Sequence, residues 1–156
     1  MRLLIYGDYE CPYTHKALIS VAQVRRELRV AFVYAFRNFP LTEIHPHALH
    51  AALAAEAAEL QGKFWEMHDL LFQRQRALAD DDLAAYAKEV GLDEARFRAD
   101  FANRNGLPRI EADVASGVRN GVQGTPSLFI NGEPHRDAYD PATLVNALRS
   151  AAERPV

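Results

Sequence analysis

The first 36 residues limit the fold more than any other part of the chain. "RLLIY", residues 2–6, is a short apolar run closed by Gly7-Asp8, and it suits a buried strand. Ala17, Leu18, Val21, Val24 and Leu28 then recur at helical spacing, with Lys16, Gln23, Arg25 and Glu27 between them. The helix is predicted to begin at Cys11, with Pro12 at the first helical position, where a missing N–H costs nothing. "VAFVYAF", 30–36, is β-branched and aromatic and predicts a second strand. Two strands joined through a helix in so few residues run parallel, with a right-handed crossover.

The texture then changes. "HALHAALAAEAAELQ" is a helical pattern that Gly62 breaks, its alanine runs read as helix surface. "KFWEMHDLLFQRQ" places Phe64, Met67 and Leu71 on one face. Asp80 or Asp81 is expected to cap "DLAAYAKEV", Gly91 to end it, and Asp93 to cap "LDEARFRADFANR". One more helix follows Pro108. The β pattern returns with "SLFI", 127–130, then Asn131-Gly132, a strong hairpin signal. "EPHRD" predicts a short edge strand, because Pro134 cannot donate to a central ladder. A last helix follows, with Asp140 as cap and Pro141 in its first turn. The order is βαβ, four or five helices, ββα.

Composition removes several functions. The net charge of -3 argues against a nucleic-acid partner, which would want a basic face. No stretch approaches the ~20 apolar residues of a membrane span, and "LLIYG" is too short for a secretory leader. The expectation is a cytoplasmic chain without membrane contact. One cysteine excludes an internal disulfide, so any disulfide joins another molecule. The histidines of "HPHALH" (His45, His47, His50) read as a solvated helix start, and no metal site is expected.

Cys11 at a helix start carries the chemistry. Free N–H groups and the helix dipole favour an anion there, and thiols so placed titrate at roughly 3.5–7.5 rather than about 8.5. Thr14 is one turn on, within reach of the sulfur as a hydrogen-bond partner. Asp8 and Glu10 would oppose the anion if they faced it. His15 reads as a surface residue, and Phe64, Trp65, Met67 and Phe72 as packed core. Arg37, Asn38 and Arg136 read as exposed, with anion binding as the other option. "GVQGTPSLFING", 121–132, places Thr125-Pro126 in a tight turn before a strand.

"YGDYECPY", "FRNFPL" followed by "HPHALHAALAAEAAELQGKFWEMHDLLF", and "GVQGTPSLFING" together resemble the DsbA-like branch of the thioredoxin superfamily over nearly the whole chain. The resemblance implies an α/β, thioredoxin-like fold: βαβ–ββα around a mixed four-stranded sheet, from residues 1–44 and 119–156, with residues 45–118 as an inserted helical domain. It implies that Thr125-Pro126 is cis and lies beside Cys11, presenting backbone to a bound peptide or glutathione. Pro12, Tyr13, Thr125 and Pro126 would then bind substrate, with Cys11 and Thr14 catalytic. Two departures stand out. Thr14 replaces the resolving cysteine, and Ile5 stands where the family often has a buried acid. Both fit monothiol exchange, with no bound cofactor and glutathione as co-substrate. The alternatives are a redox-inactive peptide-binding or interaction module and a kappa-class-like glutathione transferase or isomerase. A homodimer is compatible with either outcome.

Overall fold

The computed structural model describes residues 1–28 and 32–154. Strand β1 (Arg2–Gly7) leads into helix α1 (Pro12–Glu27) and strand β2 (Val33–Asn38). Five helices follow: α2 (Ala48–Glu59), α3 (Phe64–Gln73), α4 (Asp80–Glu89), α5 (Glu94–Ala102) and α6 (Leu107–Arg119). Strands β3 (Ser127–Ile130) and β4 (Glu133–His135) and helix α7 (Pro141–Glu153) complete the chain. The sheet order is β2-β1-β3-β4, with β1 parallel to β2 and the β1–β3 and β3–β4 pairs antiparallel. This is the mixed four-stranded, thioredoxin-like sheet that the motifs predict. β2 ends two residues later than its β-branched run suggests, and the start expected at residue 30 lies outside the described residues.

Alternation along β1 divides the interior. Leu3 and Ile5 are fully buried in the main core with Val21 and Val24 of α1, Leu128 and Ile130 of β3, and Leu144 and Leu148 of α7. Tyr6 faces the other way and packs with Phe39, Val122 and Phe129. The sheet is therefore covered on both faces. Asn131 and Gly132 both have positive φ, 52° and 88°, as the two-residue hairpin turn requires. β4 lies at the edge, where Pro134 is tolerated.

Two helix readings change. The alanines of α2 are buried, not surface: Ala48, Ala51, Ala52, Ala54, Ala55, Ala57 and Ala58 all face protein. Small side chains on every side let neighbouring helices approach closely, so α2 is the central helix of its group. The cap of α4 is Ala79, and Asp80 is already helical. The helix start is held instead by Asp82, whose carboxylate accepts the Ala79 N–H at 3.1 Å. Asp93 and Asp140 cap α5 and α7 as expected, accepting from the Arg96 and Thr143 amides.

α3 locks onto the sheet through His68, which is buried among Tyr9, Phe36 and Phe72. Burial pulls its imidazole down to about 3, so it stays neutral in the fold. The unfolded chain protonates this histidine near 6.5, well before the folded one does. Stability is therefore lost as pH falls from about 6.5 toward 3, with a slope from this residue of at most about 1.4 kcal/mol per pH unit. Urea titrations at pH 7 and 5 are expected to show a larger loss for the native chain than for His68→Gln. Equal losses would place the cause elsewhere.

Candidate active site

Cys11 is the N-cap of α1, in extended conformation, with Pro12 as the first helical residue. The loop before it is fixed by backbone and side chain together. The Cys11 N–H donates to the Asp8 carbonyl at 3.1 Å. The Asp8 carboxylate, itself buried, accepts the Glu10 N–H at 2.7 Å and the Leu41 N–H at 2.8 Å, and meets His45 Nδ1 at 2.8 Å. Gln75, after α3, donates to the carbonyls of both Tyr9 (2.9 Å) and Cys11 (2.8 Å). The strand-to-helix turn is thus gripped from β1 on one side and from the helical segment on the other.

The two acids near the sulfur in sequence are both held by other groups. Asp8 is engaged as described, and Glu10 accepts the His47 N–H at 2.7 Å and lies 3.1 Å from His47 Nδ1. His50 likewise meets Asp80 at 2.6 Å. The side chains of His47 and His50 reach solvent at the start of α2 as expected, and all three "HPHALH" histidines also meet carboxylates. Among the described residues no cluster could hold a metal ion. A signal was present in the chain: Asp8 and Glu10 share the i, i+2 spacing of His45 and His47, and the two pairs meet in order.

Beside Cys11 lies the turn at residues 124–127. The Thr125-Pro126 bond is cis. Cys11 Sγ donates to the Thr125 carbonyl at 3.6 Å. Thr125 Oγ1 is buried with no partner among the described residues, and Ser127 Oγ donates to the Gly124 carbonyl at 2.7 Å. Tyr139 completes the surround. Burial, and then the nearby Cys11 and Tyr13, push its phenol up, so it remains a hydroxyl. Tyr139 and Gln75 escaped the sequence reading, because nothing in their local pattern marks them.

Thr14 does not meet the sulfur. It is fully buried, and its hydroxyl takes the Asp8 N–H at 3.4 Å. Gly7 explains the placement: a Cβ there would lie 2.5 Å from Phe36 and 2.6 Å from the Thr14 methyl, so Thr14 packs down onto β1. Pro12 is exposed and Tyr13 is 64% exposed, both beside the sulfur, whereas Cys11 itself is 3% exposed. Ile5 is fully buried opposite Phe36 and Leu128, in an apolar setting that suits no acid. His15 turns from the sulfur and stacks on Phe72 at 5.9 Å. Arg37 is used internally, donating to Tyr6 and Ser116, and Asn38 is bonded to Glu56 and Asp113. A cleft of about 580 Å3 borders Pro12, lined by Glu10, His47, Gln75, Arg76 and Asp82.

Comparison with known proteins agrees with this fold. The family model described as thioredoxin matches residues 2–150. A thioredoxin-like oxidoreductase from Silicibacter pomeroyi DSS-3 superposes with a TM-score of 0.87 at 24% identity, over 99% of this chain and 87% of its own. Oxidised BdbD from Bacillus subtilis gives 0.87 at 17% identity, over 98% and 88%. In sequence, the Na(+)/H(+) antiporter NhaA 1 of Salinispora arenicola is 46% identical over 149 residues, covering 94% of this chain and 22% of the antiporter. NhaA 3 of Salinispora tropica is 45% identical over 157 residues, covering 96% and 24%. The chain thus spans under a quarter of the length of these relatives. No helix among the described residues is long and apolar enough to cross a membrane.

Proposed function

We propose that this chain, which belongs to the thioredoxin family, is a monothiol thiol–disulfide oxidoreductase of DsbA-like type whose Cys11 exchanges with glutathione-linked disulfides. One observation carries the reading: Cys11 Sγ at a helix start lies 3.6 Å from the Thr125 carbonyl, next to the cis Thr125-Pro126 bond. An extended tripeptide or peptide pairing with the Thr125 backbone sets its own disulfide against that sulfur. The unpartnered Thr125 hydroxyl offers such a substrate one further hydrogen bond. The exposed Pro12 and Tyr13 give it a surface, and Arg76 in the adjoining cleft supplies a cation for a carboxylate.

The chemistry balances with one protein sulfur. Cys11 loses its proton to water and its thiolate attacks the glutathione sulfur of a mixed disulfide. A Cys11–glutathione disulfide forms, the substrate disulfide breaks, and the substrate thiolate leaves and takes up a proton. A glutathione thiolate then attacks the adduct, forming glutathione disulfide and restoring Cys11. The net reaction consumes one free glutathione: the glutathionylated substrate and glutathione become the substrate thiol and glutathione disulfide. Such a pool is cytoplasmic, which is where we place the reaction. Thr14 serves by packing the turn, and Tyr139 is the hydroxyl beside the sulfur.

Intact-mass measurement after incubation with glutathione disulfide tests this directly. One glutathionyl group, removed by added glutathione and absent from Cys11→Ser, is expected. No adduct at any pH between 6 and 9 would sink the proposal.

The burial of Cys11 supports a second reading, because a nearly inaccessible thiol bonded to a carbonyl also suits an inert structural cysteine. In that reading the fold is an interaction module, and the relatives' names suggest that its partner is a Na(+)/H(+) antiporter. Sodium-driven proton exchange by antiporter vesicles should then change equally on adding the native chain or Cys11→Ser. No response to either protein removes the module reading.

A further inference from the structure

Outside the Cys11 turn, a second cavity of about 610 Å3 lies between α1 and α3, at the β2 edge of the sheet. Its walls are aromatic. Tyr34 and Trp65 face each other with ring centroids 5.4 Å apart, and Phe72 and His68 lie behind them. Trp65 is 43% exposed, unusual for a residue among so many rings. Arg25 and Asp69 stand at the cavity with opposite charges, which favours neither a cation nor an anion.

Two polar groups here have no protein partner among the described residues. The Tyr34 hydroxyl is buried with none among the described residues. Among the described residues His68 pairs only through Nδ1, 2.9 Å from the Tyr9 hydroxyl, and its Nε2 is not closed to water as the Tyr34 oxygen is. Burial pushes the Tyr9 phenol up and the His68 imidazole down, so both are neutral. If Nδ1 carried the hydrogen, the Tyr9 hydrogen and the Nε2 lone pair would both be stranded. With Tyr9 donating to Nδ1, only the Nε2–H is left over, and this arrangement strands fewer groups. The cavity therefore holds one unused N–H donor and one unused hydroxyl within an aromatic frame. Buried polar groups are nearly always paired, so the orphan Tyr34 hydroxyl, at a cavity that also carries a free N–H donor, points to an occupant.

We propose that this cavity binds a small, uncharged, planar aromatic molecule bearing a carbonyl group, stacked on Trp65 and accepting hydrogen bonds from His68 Nε2–H and the Tyr34 hydroxyl. The Tyr34 oxygen is closed to water, so the ligand reaches it by displacing the exposed Arg25, whose guanidinium carbon lies 5.8 Å from the Tyr34 ring centroid. The site is independent of exchange at Cys11. It adjoins that turn through one bond, because His68 holds Tyr9, two residues before the cysteine.

Trp65 is the only tryptophan, so its indole N–H resonance reports on this cavity alone. Titration with 1-indanone is expected to shift that signal to saturation, and indane, which lacks the carbonyl, to bind at least about threefold more weakly. Tyr34→Phe should weaken indanone by a similar factor while leaving the melting temperature of the free protein unchanged or higher, since it removes an unpaired hydroxyl. Three results would each overturn the proposal: no shift of the Trp65 signal, indane binding as tightly as indanone, or Tyr34→Phe binding indanone as the native chain does.

Discussion

The buried carboxylate of Asp8 holds the parts of this molecule in register. It sits where β1 ends, and it binds the amide of Glu10 in the turn, the amide of Leu41 beyond β2, and the ring of His45 before α2. A carboxylate in the interior survives only when its oxygens are satisfied, and these are. Each hydrogen bond to a charged group contributes about 1.5–3 kcal/mol, and removing the acceptor strands three donors at once. The turn carrying Cys11 and the entry to the helical segment are therefore set by the same two oxygens.

That arrangement gives the helices a role at the sulfur. Gln75 holds the Tyr9 and Cys11 carbonyls, His47 donates to Glu10, and His68 fixes the Tyr9 hydroxyl. A second cysteine is absent, and Thr14 has become a packing residue against Gly7 and Phe36. What remains is one sulfur, one carbonyl and a surface for an extended partner, which suits exchange with a small thiol better than a dithiol cycle.

Much of this was legible in the chain. The β1–α1–β2 order, the Asn131-Gly132 turn and the edge position of Pro134 follow from local chemistry, and they appear as expected. The place of Cys11 at the helix start also follows from Pro12. What escaped was long-range. Alanine is a good helix former whether buried or exposed, so its pattern could not say that α2 lies at the centre of five helices. Thr14 was near enough to the sulfur in sequence, but Gly7 leaves a space on β1 that its methyl fills. The partners of the three histidines lie 30 to 37 residues away, beyond any local signal except the matched i, i+2 spacing.

The claim at the centre of this account is that Asp8 fixes the Cys11 turn. The direct test is the rate of Cys11 alkylation by iodoacetamide in Asp8→Asn and native protein, under conditions where both are fully folded. A thiol buried this well reacts through local opening, and weakening the turn by about 1.4 kcal/mol raises the open population about tenfold. The account predicts that the Asn variant is alkylated about tenfold faster or more. Equal rates in the two proteins would mean that the turn is held by something else, and the central role given to Asp8 would be wrong.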